Sequence, residues 1–259
     1  FQDFMGHKRL HESAAVWTIY HALDSDVADP FQAYLATRYV DREIPHIPVV
    51  VSADATSEAA AAINAGGYAT VSTTNWLPYS WSINNVAFAE VMHTALAYWQ
   101  AGRNEEAYKL MKAVVMDNMY LGASPLNFGQ ISHYDAVRGE SYRDFADPIG
   151  VWSRALTEGL FGIRPDMTAE SPRVEIVPAE WNSASINLPD IAYTFRREGD
   201  KLIYKIENRY RLDPEVVLTV PVRGVRSVKV NGRTAAWEAV ENSVGTPRLS
   251  VNAGREPKL

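Results

Sequence analysis

Acidic, aromatic and histidine side chains are concentrated in one long segment without regular hydrophobic spacing, residues 122–145. Loops of this length inside a compact domain are usually functional or disordered. Glu140 lies in this segment with Asp144 after it and His133 and Tyr134 before it. Two carboxyl groups in one pocket can serve as acid and base in hydrolysis, for example of a glycosidic bond. Glu140 is therefore our first candidate for such an acid.

The other acidic candidates each have a simpler structural explanation. Asp135 and Asp144 are also typical turn residues, whose side chains accept a backbone N–H. Glu12 precedes an apolar helical pattern, where a carboxylate stabilises the positive end of the helix dipole. Glu90 and His93 are three residues apart on a predicted helix. They either line a pocket or form a buried hydrogen-bonded couple that fixes helix packing, and both explanations stay open.

An aromatic and polar loop leads into that predicted helix. Trp76, Tyr79, Trp81 and Asn84 lie close together in it, among several Ser and Thr residues. Aromatic faces stack on the C–H faces of sugars, and amide groups pair with sugar hydroxyls. A single Trp or Tyr is more often a core residue, but the clustering favours substrate contacts. We add His133 and Tyr134 to the predicted substrate-binding residues.

Metal, cofactor and nucleic-acid chemistry are poorly supported. His7 and His11 have a spacing that lets two imidazoles share a helix face, but a third ligand is not evident and Glu12 does not complete a His-Glu-x-x-His motif. The chain has no cysteine and no glycine-rich phosphate loop. Its net charge is −6, and the sequence contains no cluster of Lys and Arg that could bind phosphate groups. We predict no metal, no cofactor, no nucleic-acid partner and no membrane span.

Hydrophobic periodicity divides the chain into a helical part and an all-β part. Helical spacing ends near residue 160, and period-two alternation begins after Pro172. We predict an α+β protein with a helical domain at residues 1–170 and a β-sandwich at residues 171–259. Helices are predicted at residues 10–23, 29–40, 56–64, 84–100, 104–114 and 149–160. Asp29 and Pro30 are the predicted cap and first residue of the second helix, and the short connection at residues 101–103 predicts that the helices on either side of it form an antiparallel hairpin. Strands are predicted at residues 173–177, 184–188, 191–196, 201–207, 216–221, 225–230 and 248–251. Hairpin turns are predicted at residues 198–200 and at Asn231-Gly232, the latter of type I′.

Two stretches resemble bacterial six-hairpin glycosidases. The first is the helix and its exit at residues 152–166, WSRALTEGLFGIRPD, followed by an Ile-Val-Pro step at 176–178 and a Val-Asn-Gly turn at 230–232. The second is WLPYSWSINN at residues 76–85, which runs into AGRNEEA at residues 101–107. The resemblance implies an (α/α)₆ toroid that leads into a β-sandwich.

The number of helices limits this resemblance. A complete toroid of six hairpins has about twice as many helices as the five or six predicted here. We therefore expect the C-terminal half of such an enzyme, with a missing N-terminal half as a partner. The chain begins at Phe1 without a methionine, which is consistent with removal of an upstream segment, and we expect a periplasmic or secreted bacterial protein.

The resemblance also implies a function. It predicts a glycoside hydrolase in which Glu140 is one catalytic carboxylate and Glu12, Asp144 or a residue of the missing half is the other. A non-catalytic carbohydrate-binding or scaffold protein on the same fold is the first alternative. A glycoside phosphorylase or a sugar epimerase is the second, although no pair of histidines in one loop supports the epimerase.

Overall fold

The computed structural model describes residues 13–51, 57–76, 83–121, 147–168, 170–178, 181–241 and 243–255. It shows an α+β protein, as predicted. The chain divides into two compact units, residues 1–155 and 156–259. The predicted domain boundary at residue 170 stays a prediction.

Six α-helices are described, all beginning in the first unit. Their bounds are α1 Val16–Asp24, α2 Pro30–Glu43, α3 Glu58–Ala65, α4 Phe88–Gln100, α5 Asn104–Val115 and α6 Asp147–Arg154. A π-helical turn follows α5 at Met116–Leu121, and another follows α6 at Ala155–Leu160. The predicted helix at residues 149–160 is thus an α-helix that widens into a π-helical turn.

The start of α2 shows how local chemistry sets a helix end. The Asp29 carboxylate accepts the backbone N–H of Gln32 at 2.8 Å, and the Gln32 side chain accepts the N–H of Asp29 at 3.0 Å. Pro30 occupies the first helical position, where its missing N–H costs no hydrogen bond. The prediction that Asp29 and Pro30 begin this helix is confirmed.

Helix α4 is the centre of the first unit. It packs on α1, α2, α5 and α6. The connection at residues 101–103, with Gly102 at a φ of 76°, joins α4 to α5, and the predicted helical hairpin is confirmed. The helix begins at Phe88 and not at residue 84 as predicted, because residues 84–87 are non-helical and Asn84 itself has a positive φ of 50°.

The first unit also contains a small sheet that periodicity did not indicate. Strand β1 at His46–Pro48 pairs antiparallel with β2 at Ala69–Val71. Each strand is only three residues long, which is too short to show alternation. Because β2 ends at Val71, this pairing holds the beginning of the loop that contains Trp76.

The second unit is formed by strands. Their bounds are β3 Ile163–Asp166, β4 Arg173–Ile176, β5 Ser183–Asn187, β6 Ile191–Glu198, β7 Lys201–Asn208, β8 Glu215–Pro221, β9 Lys229–Val230, β10 Arg233–Thr234, β11 Glu238–Ala239 and β12 Arg248–Gly254. The described sheets have the orders β11-β12-β8-β4-β3, β5-β6-β7 and β10-β9. Side chains of the first two sheets share one core, in which Val174 and Ile176 cluster with Tyr193 and Phe195.

Two predicted hairpin turns are confirmed. Asn231 and Gly232 both have positive φ angles, 49° and 77°, and lie between the paired strands β9 and β10. That combination is what a type I′ turn requires. Gly199, with a φ of 56°, lies in the turn between β6 and β7. The predicted strand at 225–230 is shorter than expected and comprises residues 229–230.

Candidate functional site

A polar stripe runs along the otherwise buried helix α4. Glu90, His93 and Gln100 are half-buried, whereas every other residue of this helix is buried. Their spacing of three and seven places them on one face. A row of polar groups on the central helix of a unit is costly unless each group is paired. The stripe therefore locates the polar centre of the first unit.

Asp24, at the end of α1, is the centre of this polar cluster. Arg154 of α6 donates to both carboxylate oxygens, Nη1 to Oδ2 at 2.7 Å and Nη2 to Oδ1 at 2.5 Å. The Gln100 amide of α4 also donates to Oδ1, at 3.0 Å. The Arg154 hydrogen bonds lower the pKa of Asp24 to about 2, against the opposing effect of burial. Asp24 is therefore an ionised acceptor that joins three helices.

His93 lies against the same carboxylate. Its Nε2 is 3.6 Å from Oδ2 of Asp24, and its ring stacks on Tyr20 with centroids 4.1 Å apart. The His21 ring is 5.6 Å away, edge to face. Burial lowers the pKa of His93, the charge of Asp24 opposes that shift, and the charge of Arg154 adds to it. The imidazole is consequently held neutral at neutral pH beside an ionised carboxylate.

A second polar network fixes α2 to the α4–α5 hairpin. Arg103 is buried and donates from Nη2 to Asp41 at 2.8 Å and to Glu106 at 3.0 Å, with its guanidinium over the Tyr98 ring. The Tyr98 hydroxyl donates to the other oxygen of Asp41 at 2.6 Å. Burial and the bond to Asp41 raise the pKa of Tyr98. This network is internal, and we assign it to packing.

The aromatic part of the candidate site lies at the start of α1. Trp76 is half-buried, its Nε1–H donates to the Ser13 hydroxyl at 3.0 Å, and its ring meets Trp17 edge to face at 6.0 Å. Edge-to-face pairs of this kind orient both rings. Trp76 therefore has a fixed orientation and keeps part of its indole surface accessible.

Asn84 is positioned by the same loop. Thr74 Oγ1 accepts the backbone N–H of Asn84 at 2.8 Å and that of Trp76 at 3.2 Å. The Asn84 amide oxygen accepts a hydrogen bond from Ser72 at 3.2 Å. The two residues of the predicted aromatic-amide set that are described are thus held by one threonine.

The remaining predicted residues divide into two groups. Glu90 and His93 lie on the α4 stripe, and His93 is placed beside Asp24 of another helix. The other predicted site residues lie outside the described residues: Glu12, Tyr79, Trp81, His133, Tyr134, Asp135, Glu140 and Asp144, together with His7 and His11. Their predicted roles stay predictions.

Sequence reasoning missed Asp24, Arg154, Tyr20 and Trp17. Asp24 and Arg154 are 130 positions apart, so local spacing cannot show their pairing. The sequence does contain one pattern that indicates this site: Trp17, His21 and Asp24 follow one another on α1 at spacings of four and three. That pattern puts aromatic and charged groups on one helix face.

The described residues also answer two questions, whether they form a metal-binding cluster and whether they include a membrane-spanning helix. No group of three His, Asp or Glu side chains there is arranged to hold a metal ion. In the same part of the chain, no helix has the length and apolar character needed to cross a bilayer.

Comparisons with known proteins give no assignment. Neither the family models nor the curated proteins include one that matches this chain. The functional hypothesis therefore depends on the residues of the chain and on the geometry of the two clusters.

Proposed function

We propose that this chain is part of a carbohydrate-active enzyme, a glycoside hydrolase, in which a portion of a helical (α/α)₆ toroid precedes an accessory β-sandwich. The observation that supports it best is the oriented pair Trp76 and Trp17, in a loop where Thr74 Oγ1 accepts the backbone N–H groups of both Trp76 and Asn84. A half-buried indole of fixed orientation offers a stacking face for a sugar ring. Neighbouring hydroxyl and amide groups supply the hydrogen bonds that orient sugar hydroxyls.

In this proposal the catalytic carboxylates come from Glu140 and from Glu12, Asp144 or the missing half. Asp24 is unsuited to general acid catalysis, because Arg154 holds its pKa at about 2 and it carries no proton to donate near neutral pH. Its role is to hold Arg154 of α6 and to face His93 of α4.

Binding is tested first, on a glycan array followed by isothermal titration calorimetry of the best ligands. Trp76→Ala should weaken binding at least tenfold, and Ser13→Ala, which removes only the bond that holds the indole, should weaken it less. Trp237→Ala is the matched control, since Trp237 is exposed in the second unit. Equal binding by Trp76→Ala and wild type would remove the aromatic site from the proposal.

Turnover is tested on aryl glycosides and plant or host oligosaccharides, with reducing-sugar release as the readout. Glu140→Gln should abolish most of the activity, whereas Glu241→Gln, at an exposed turn of the second unit, should not. Wild-type activity of Glu140→Gln on a confirmed substrate would show that the assignment of Glu140 is wrong. Dependence on inorganic phosphate would identify a phosphorylase, and change at one sugar carbon without cleavage would identify an epimerase.

A non-catalytic carbohydrate-binding protein is the second candidate. The observation that favours it is the bidentate pairing of Asp24 with Arg154, which places a structural ion pair where the helices carry their polar centre. Glycan binding without any turnover by the full-length protein would support this candidate over the hydrolase.

A further inference from the structure

Glu90 is a half-buried acidic residue of α4, the helix at the centre of the first unit. It lies three residues before His93 and therefore on the same side of the helix. His93 faces α1, because its ring stacks on Tyr20 of that helix with centroids 4.1 Å apart. Glu90 is thus on the side of α4 that meets α1.

Helices α1 and α4 run side by side in the same direction. Tyr20 of α1 lies against His93 of α4. Asp24, one turn further along α1, accepts a hydrogen bond from Gln100, which is two turns further along α4. Increasing residue numbers on one helix therefore follow increasing numbers on the other.

The starts of the two helices lie at the same level. Thr73 accepts the backbone N–H of Val16, the first residue of α1, at 2.9 Å. The N–H of Thr73 donates to the carbonyl of Asn85, three residues before α4, at 2.8 Å. Trp17 is the second residue of α1 and Glu90 the third residue of α4, so the first turns of parallel helices place them side by side.

Trp17 is on the face of α1 that meets α4. It lies four residues before His21, whose ring is 5.6 Å from that of His93. On its other side, Trp17 meets Trp76 edge to face, with ring centroids 6.0 Å apart. The carboxyl group of Glu90 and the indole pair therefore lie at the same end of the α1–α4 contact.

The charge of Arg154 is used at the opposite end of this contact. Its guanidinium is bonded to both carboxylate oxygens of Asp24, seven residues after Trp17 on α1. Seven residues of helix span about 10 Å. The Asp24 carboxylate, with both oxygens bonded to Arg154, is thus remote from the indoles, whereas Glu90 is beside them.

We propose that Glu90 accepts hydrogen bonds from the hydroxyls of a sugar ring that stacks on the Trp17–Trp76 pair, and that it makes this site select neutral sugars over uronic acids. This inference rests on the proposed function. A carboxylate offers about four acceptor positions on its two oxygens, enough for two adjacent hydroxyls of one ring. Its negative charge repels the carboxylate of a uronic acid, and partial burial strengthens that repulsion.

Isothermal titration calorimetry of the full chain with matched ligands tests the inference. The best neutral ligand from the glycan array is compared with its uronic acid counterpart, and the wild type should bind the neutral one about tenfold more tightly. Glu90→Gln should weaken binding of the neutral ligand about tenfold, as expected for a lost hydrogen bond to a charged group, and should remove most of the preference. Glu90→Asp keeps the charge but shortens the side chain, so it should lose affinity and retain the preference.

Two variants separate this inference from the proposed function. Trp76→Ala removes the stacking face and should weaken both ligands equally. Glu105→Gln is the matched control, because Glu105 is exposed on α5, and it should change neither affinity. If Trp76→Ala weakens binding while Glu90→Gln leaves both affinities unchanged, the role of Glu90 is wrong and the proposed function stands. If the wild type binds no sugar, both are wrong.

Discussion

Arg154 and Asp24 form a bidentate ion pair, with N–O distances of 2.7 and 2.5 Å, across 130 positions of sequence. The pair joins α6 to α1, and Gln100 connects the same carboxylate to α4. Parallel N–H···O bonds between guanidinium and carboxylate are both stronger and more directional than single ones. One acidic side chain thus links three helices that also pack on one another through α4.

Removal of this acceptor should destabilise the first unit. We expect Asp24→Asn to lower the free energy of unfolding by about 1–2 kcal/mol, since the pair is only partly shielded from solvent. Urea denaturation, followed by circular dichroism, measures this change in the free energy of unfolding. Glu105→Gln is the control, because its bond to Lys109 joins two largely exposed side chains, and a change below about 0.5 kcal/mol is expected. Equal effects of the two substitutions would contradict a structural role for the pair.

His93 should make the stability of the first unit depend on pH. Its pKa in the folded protein is below the ordinary value of 6.5, so the unfolded chain binds more protons as the pH falls through that value. The free energy of unfolding should therefore be highest above pH 6.5 and decrease with acidification until the lowered pKa is reached. Asp24, with a pKa of about 2, stays ionised throughout this range.

Urea denaturation at a series of pH values tests whether the free energy of unfolding decreases with acidification. His93→Gln should flatten the dependence between pH 5 and 7, roughly the range in which an ordinary histidine titrates. His46→Gln, at an exposed position, should retain it. A two-dimensional NMR titration of the His93 ring gives the pKa directly, and a value above 6.5 would contradict the expected shift.

The Tyr98 hydroxyl should contribute more than an ordinary hydrogen bond. It donates to the Asp41 carboxylate at 2.6 Å inside the buried Arg103 network. We expect Tyr98→Phe to cost about 2 kcal/mol, within the range for hydrogen bonds to charged groups. A double-mutant cycle with Asp41→Asn isolates the pair, and a coupling energy near zero would show that the bond adds nothing to stability.

Gly162 should be irreplaceable in the second unit. It has a φ of 68°, and a Cβ placed there would lie 1.9 Å from the carbonyl oxygen of Val177. Because that contact is with backbone, Gly162→Ala should cost more than about 3 kcal/mol or prevent folding of the strands. Gly199→Ala has a similar positive φ and no atom within 4 Å, so about 1 kcal/mol is expected. Thermal melts of the two variants compare these costs, and similar values would contradict the steric argument.

Much of the secondary structure follows from local chemistry. Asp29 and Pro30 begin a helix, and the turns at Asn231-Gly232 and Gly199 join strands, because a few adjacent residues determine each of these features. The sequence does not predict strand β3 at Ile163–Asp166, since four residues are too few to show alternation and its partner β4 lies in the next segment. Its position in the sheet depends on pairing and not on propensity.

The sequence by itself determined that a helical part precedes a β part, and it located the helix start and the turns that capping residues and glycine set. It also identified Trp76 and Asn84 as candidate substrate-binding residues. The tertiary structure decided which polar groups meet. Arg154 donates to Asp24, and His93 lies 3.6 Å from the same carboxylate, because three helices from distant parts of the chain converge there. Periodicity identifies the face of a helix, but only packing determines what that face meets.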